Sequence, residues 1–363
     1  MRIPWLLPQI GDKEKKLVSK VLESRYLNDG KYTRLFEERI CEMLGCKYAL
    51  AVTNGTSAMY LSLKALGIGQ GDEVIVPDLT FIATANAVKM CGAEVVLVDV
   101  DPHKLTMDPE AFRQAITKNT KGVIPVHVSG RAANIEATLK IANENSIQVI
   151  EDAAEAFVSK HKNKYLGTFG KTGCFSFSSA KIITSGQGGL IVTDDKNLYI
   201  KLKMLKDQGR AAQGSGGDDI HATVGYNFKW TDIQAAVILG QLDNIEQRVA
   251  KKIKQHLLYK KYLKDVDNIS IFEFDVSNGE VPLWTDGIFV KRDELDKFLS
   301  GKNIDCRRFW FPIHTQNPYK LPDNKFPNST DLSPKVLWLP SGMDMKDQEV
   351  EIVSNQVKGF YTK

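Results

Sequence analysis

Lys181 lies in CFSFSSAKIITSGQGG, between an apolar, strand-like stretch and a glycine-rich turn, and the upstream apolar run IQVI ends on Glu151 and Asp152. A lysine that can serve as a nucleophilic amine and an aspartate that can hold a protonated ring nitrogen are the two protein groups pyridoxal phosphate requires. Taken singly, each has a plainer reading. Asp152 before AAEAF could simply cap a helix, and a lone lysine is usually a solvated charge. The neighbours favour chemistry. Phe175, Phe177, Ile182 and Ile183 surround Lys181 with apolar side chains, which favours the neutral amine. Gly186, Gly188 and Gly189 let the backbone turn tightly beside something bulky.

Such a pair must be positioned by a scaffold, and the sequence supplies one. From about residue 47, short apolar runs alternate with amphipathic stretches, the pattern of an α/β fold with a mostly parallel sheet between helices. YALAV, EVIVP, EVVLV, GVIPV and IQVIE are the expected strands, with helices beginning near Thr56, Thr80, Asp108 and Asn134. Polar or small residues close these strands, where ligands of open α/β sheets bind. A hairpin is expected around SKHKNKYLG, a strand at GLIVT, and one long helix or two from Thr231 to about Tyr262. Residues 276–283 read as a loop, and the remainder as a smaller α+β domain. The expected division is a large domain over 1–245 and a small one over 246–363.

Composition narrows the class. Of 363 residues, 43% are hydrophobic, enough for two cores. The net charge of +4 arises from interspersed charges, which gives no nucleic-acid footprint. No apolar run reaches the ~18 residues of a membrane span, so the expectation is a cytoplasmic protein with neither nucleic acid nor membrane as partner. Five cysteines without CxxC spacing favour neither a disulfide framework nor a metal site.

VTNGTSA, PDLTFIATANAV, EDAAEAF, FSFSSAKIITSGQGG and GYNFKWTDIQAA follow one another in an order which, with FPIHTQNPY and LPSGMD, resembles the DegT/StrS-type sugar aminotransferases of aspartate aminotransferase fold type I. The resemblance spans nearly the whole chain and within the family points to the GDP-perosamine synthase branch. It implies pyridoxal 5'-phosphate as cofactor and pyridoxamine 5'-phosphate as its intermediate form. It further implies an amino group passed from L-glutamate to a keto sugar nucleotide, a 4-keto-6-deoxyhexose, by a homodimer sharing its active sites.

By the same resemblance Lys181 carries the cofactor covalently and then moves the proton, while Asp152 pairs with the ring nitrogen. Phe81 would stack on the ring and Glu155 would lie beside its hydroxyl. Gly55, Thr56 and Ser176 would hold the phosphate, joined by Asn227 from the neighbouring subunit. Each has a bland counterpart: a core aromatic for Phe81, an exposed helix charge for Glu155, turn hydrogen bonding for Ser176 and Asn227. Arg307 and His314 would approach the sugar nucleotide. Arg210, Tyr26 and Asn28 read first as structural, and of these Asn28 is kept as a substrate-side candidate. Gln187, Lys229, Ser129 and Phe157 depart from the usual pattern near the pocket, which bears on the substrate more than on the cofactor.

Three alternatives share the scaffold. The same chemistry could act on a small phosphorylated ketone or a cyclitol ketone. A pyridoxamine-phosphate-dependent sugar dehydratase would carry His at the Lys181 position, and a non-catalytic regulator would not need the intact pair.

Overall fold

The computed structural model describes residues 2–211 and 219–362. Helices α1 (Asp12–Ser24) and α2 (Lys31–Leu44) precede β1 (Tyr48–Val52). Then α3 (Gly55–Ala65), β2 (Glu73–Pro77), α4 (Ala83–Met90), β3 (Glu94–Val98), α5 (Pro109–Gln114), β4 (Thr120–Val123), α6 (Ile135–Glu144) and β5 (Gln148–Asp152) alternate. A short hairpin, β6 (Lys160–His161) and β7 (Lys164–Tyr165), leads into β8 (Thr172–Ser176), β9 (Gly189–Thr193) and α7 (Lys196–Lys206).

Seven of these strands form one sheet in the order β1-β9-β8-β5-β4-β2-β3. Neighbouring pairs from β8 to β3 run parallel, whereas β9 is antiparallel to both β1 and β8. Strands covered on both faces need continuous apolar runs, and β9 is buried along its whole length. Two expectations shift. The strand expected over 122–126 runs instead from Thr120 to Val123, because Pro125 has no N–H to give the ladder; pairing resumes only as a bridge between Val126 and Asp152. No helix follows Asp152, which ends β5 and accepts the Ala154 N–H at 3.1 Å.

Strand β1 lies at the sheet edge, where an unpaired N–H invites pairing with another chain. Glu37 of α2 takes the Ala51 N–H at 2.8 Å. Burial pushes the Glu37 carboxyl from 4.5 up to about 7, against the opposing pull of Lys206. The folded chain therefore holds this proton more tightly than the unfolded one, and the associated stability is lost as pH rises from 4.5 through 7. Glu37→Gln keeps the acceptor and removes the titration. Its melting temperature is expected to exceed the wild type's at pH 8, by the equivalent of about 3 kcal/mol, and to match it at pH 4.

The stretch from Thr231 forms two helices, α8 (Asp232–Leu242) and α9 (Ile245–Leu263), broken at Asp243 and Asn244. Beyond them come β10 (Ile269–Ile271), β11 (Asp286–Phe289), α10 (Arg292–Ser300), β12 (Arg307–Arg308), α11 (Pro327–Leu332), β13 (Val336–Trp338) and α12 (Asp347–Tyr361). Their antiparallel sheet has the order β10-β11-β13-β12. Its core gathers Tyr259, Leu263, Phe289, Leu337 and Val353, and Ile3 joins it from the other end of the chain. The Ile3 N–H donates to Asn303 O, and the Asp305 N–H donates to Ile3 O, each at 2.9 Å. This docking sets Trp5 against Trp284 and Trp338, with ring centroids 5.6 and 6.4 Å apart.

No described helix is long and apolar enough to cross a membrane. Among the described residues no cluster of His, Cys, Asp and Glu could hold a metal ion, and all five cysteines are free.

Candidate active site

The carboxyl ends of β1, β5 and β8 open into a cavity of about 580 Å³, closed on the other side by Trp284, Trp310 and Trp338. Lys181 and Asp152 both line it. The strand-end rule for α/β sheets thus places both residues at one site.

Asp152 is 5% exposed. The Thr84 hydroxyl donates to its Oδ2 at 2.8 Å and the Ala154 N–H to its Oδ1, and no side-chain nitrogen makes an ion pair with it among the described residues. Burial raises its carboxyl above the usual range, while the Ala154 and Thr84 hydrogen bonds and the Lys181 charge oppose the rise. A buried carboxylate without a cationic partner is a seat for a cation. A protonated ring nitrogen meets that description.

Lys181 has a side chain only 12% exposed; its Nζ lies 3.4 Å from Glu155 Oε1 and 5.1 Å from the centre of the Trp284 ring. Glu155 is buried, not the exposed helix charge of its bland reading. Burial raises its carboxyl, and Lys181 together with the Ser129 N–H, 2.9 Å from Oε2, counters that rise. Ser129 itself is buried behind Glu155, with its hydroxyl donating to Asp286 at 2.9 Å.

At the third corner, Asn54 caps α3 by accepting the Ser57 N–H at 2.8 Å. The Gly55 and Thr56 N–H groups find no acceptor among the described residues, and they face the cavity at the positive end of the helix, where anions bind. Ser176 lies against Gly55, and a Cβ there would sit 3.1 Å from the Ser176 Cβ. Gly189 presses still closer: a Cβ would lie 2.2 Å from Asn54 O and 2.9 Å from Gly55 N. The N-terminus of α3 is thereby fixed from beneath. Gly189→Ala is expected to displace it, weakening cofactor binding by about tenfold or more and lowering the melting temperature, as overpacking does. Titration of the apoenzyme with pyridoxal phosphate, followed by absorbance, measures the first effect.

Phe81 is 52% exposed at the cavity, not a core aromatic. Arg307 also lines it, its guanidinium 4.9 Å from the Trp5 ring centre and 5.5 Å from that of Trp338, with no carboxylate ion pair among the described residues. Gln187 stands exposed at the same cavity. Other candidates lie elsewhere. His314 is fully buried, with Nδ1 2.7 Å from Asp78 and Nε2 3.3 Å from Asp323, so its ring ties the 313–326 segment to the end of β2 and does not line the cavity. Asn28 is exposed and bridges Thr231, Asn227 is exposed and bridges Asp207, and Lys229 is paired with Asp207 at 2.6 Å. None of these three lines the chain's own cavity.

The residues fit the cofactor: a carboxylate without an ion pair and helix N–H groups without acceptors among the described residues, together with an amine, surround one volume. Comparison with known proteins agrees, for residues 8–358 match the model of the DegT/DnrJ/EryC1/StrS aminotransferase family. The chain belongs to that family. It is a pyridoxal-phosphate-dependent aminotransferase. Among its relatives, a GDP-perosamine synthase of Escherichia coli O157:H7 is 36% identical over 365 residues, covering 99% of each chain. A GDP-perosamine synthase of Caulobacter vibrioides is 35% identical over 88% of this chain and 87% of its own. A crystal structure of a DegT DnrJ EryC1 StrS aminotransferase from Brucella abortus superposes with a TM-score of 0.90 at 30% identity, covering 97% of this chain and 96% of that one. The fold is accordingly type I.

Sequence reasoning missed Thr84, which orients Asp152, and the tryptophan wall. Thr84 stands three residues after Phe81, in the first turn of α4, so its position beside the same site was open to inference.

Proposed function

We propose that this aminotransferase passes the amino group of L-glutamate to the keto group of a sugar nucleotide, a GDP-linked 4-keto-6-deoxyhexose. The observation that carries the reading is that Lys181 and the unpaired, buried Asp152 face one cavity whose walls bear the free N–H groups of α3. The names of the relatives, GDP-perosamine synthases over almost the full length, support the acceptor.

Bound pyridoxal phosphate supplies an electron-withdrawing ring that stabilises negative charge on the substrate carbon. In this reading Asp152 keeps the ring nitrogen protonated. The Lys181 amine binds the cofactor, then takes the proton from the substrate carbon and returns it as general base and acid. Glu155, 3.4 Å from the amine, would hold it between proton transfers, and Glu155 and Phe81 would help seat the cofactor ring. Gly55, Thr56 and Ser176 receive the phosphate. Arg307, stacked and without a carboxylate partner among the described residues, offers its fork to the diphosphate of the sugar nucleotide.

Asn227 is exposed and does not line its own cavity, and Phe81 and Met90 leave apolar surface at the cavity's edge. Both features support a homodimer in which Asn227 completes the phosphate site of the neighbouring subunit. Five free cysteines support a reducing, cytoplasmic setting. Incubating the protein and glutamate with GDP-4-keto-6-deoxymannose, and separately with dihydroxyacetone phosphate, tests the acceptor. Formation of 2-oxoglutarate beyond one equivalent per active site with the first alone is the expected result; such turnover with the second alone overturns the sugar-nucleotide reading.

A further inference from the structure

The loop that carries Lys181 leaves and re-enters the sheet through a single neck, where the Phe177 N–H donates to Gly188 O at 2.8 Å. Within it the Lys181 N–H donates to Ser178 O and the Ser185 N–H to Phe177 O, so one side of the loop holds itself. Among the described residues no strand pairs with the other side. Ile182, Ile183 and Thr184 are nevertheless buried, and their backbone groups need partners.

Those partners come from α8 and α9. The Gln241 carboxamide grips the Thr184 peptide from both ends: Oε1 accepts the Thr184 N–H at 3.0 Å and Nε2 donates to Thr184 O at 2.6 Å. Its second amide hydrogen goes to Val237 O at 3.0 Å, so the side chain is fully committed, and it is completely buried. Two turns further along, Arg248 donates from one guanidinium nitrogen to Ile182 O and from the other to Gln9 O, each at 3.1 Å. Gln234 and Trp230 reach Gln187 O at 2.7 and 3.5 Å. Among the described residues, every side-chain hydrogen bond from outside the loop to the backbone of residues 181–188 therefore originates between Trp230 and Arg248. The row continues along α9, where Gln255 and Tyr259 donate to Gly342 O and Pro340 O at 2.8 and 2.9 Å. The Ser341 hydroxyl in that same stretch accepts the Thr285 N–H at 3.2 Å, next to Trp284.

We infer that Gln241 and Arg248 are positioning residues for the reaction at Lys181: they substitute for a missing strand and fix the backbone from which the amine reaches the cavity. The inference rests on the reading of Lys181 given above. Neither residue touches the cavity, so neither is catalytic. The carboxamide of Gln241 acts as a short stretch of sheet, presenting one acceptor and one donor at the spacing a peptide requires. Without it, two buried backbone groups lose their partners and the loop must move to find water. A displacement of about 1 Å at a reacting amine can cost about 100-fold in rate.

The test uses the full chain loaded with pyridoxal phosphate and three variants. Gln241→Met keeps the side-chain length and removes every hydrogen bond, Arg248→Met removes the charge, and Arg248→Lys restores one donor. Single-turnover reaction with L-glutamate, the glutamate KM, and amide hydrogen exchange of the peptide spanning 177–188 are measured. In Gln241→Met the single-turnover rate is expected to fall between about ten- and 100-fold with KM changed less than about threefold, and exchange at 182–186 to accelerate. Arg248→Met is expected to show a smaller loss that Arg248→Lys partly restores. Lower melting temperatures with single-turnover rates within about twofold of the wild type overturn the inference, whether or not exchange changes. Borohydride reduction of the wild type reads the underlying assignment separately. Label missing from Lys181 overturns that assignment, whereas label on Lys181 with unaltered variant rates overturns only the positioning role.

Discussion

Lys181→Ala is expected to abolish turnover, lowering kcat by about 10⁴-fold or more, because among the described residues no other amine borders the cavity to carry the cofactor or move the proton. Pyridoxal phosphate should still bind, held by the α3 N-terminus and Asp152, so the variant separates binding from chemistry. Borohydride treatment followed by peptide mass spectrometry checks the assignment directly: label on the 175–189 peptide of the wild type and none on that of the variant. Added small amines should restore part of the single-turnover rate in Lys181→Ala, since the lost group is a base of ordinary size in a cavity of about 580 Å³. A variant that keeps more than a hundredth of the wild-type kcat would assign the proton transfer elsewhere.

Asp152→Asn carries the second large effect. A carboxylate about 4 Å from a ring cation, at an effective dielectric near 20, contributes on the order of 4 kcal/mol, equivalent to about 10³ in rate. Loss of that charge should lower kcat by about 10²- to 10⁴-fold and leave the ring nitrogen unprotonated, visible as a shifted absorbance of the bound cofactor. Stability should move the other way. Burial raises the Asp152 carboxyl in the folded chain, so the apoenzyme loses stability as pH climbs from the ordinary carboxylate range through that raised value. Asparagine retains an acceptor for Thr84 and does not titrate. The apo variant should therefore melt above the wild type at pH 8 and alongside it near pH 3. Parallel losses of activity and stability would show that Asp152 serves the fold and not the ring.

Much of the fold was legible because buried strands and amphipathic helices leave strong periodic signals. β1, β2 and β3 lie over the expected residues, and α5 and α6 start next to the expected Asp108 and Asn134. What misled was backbone chemistry that periodicity does not report. Pro125 shortened β4 despite an apolar run, and AAEAF, with good helix formers, forms no helix because Asp152 and Glu155 turn inward to the site. His314 shows a different limit. Its residue type suits a sugar hydroxyl as well as a buried aspartate, and only the fold shows that Asp78 engages it. The tryptophan wall was invisible for a related reason: Trp284, Trp310 and Trp338 are far apart in the chain and share no local pattern.

Ile3 and Trp5 make their contacts with residues synthesised near the other end of the chain. At about 5–20 residues per second on the ribosome, the roughly 300 residues between Ile3 and Ile304 take about 15–60 s to appear. Throughout that interval two apolar side chains have no place to go. The nascent chain thus meets the cell with the segment around Ile3 and Trp5 unburied, and the stacked platform beneath Arg307 is among the last parts of the pocket to be built.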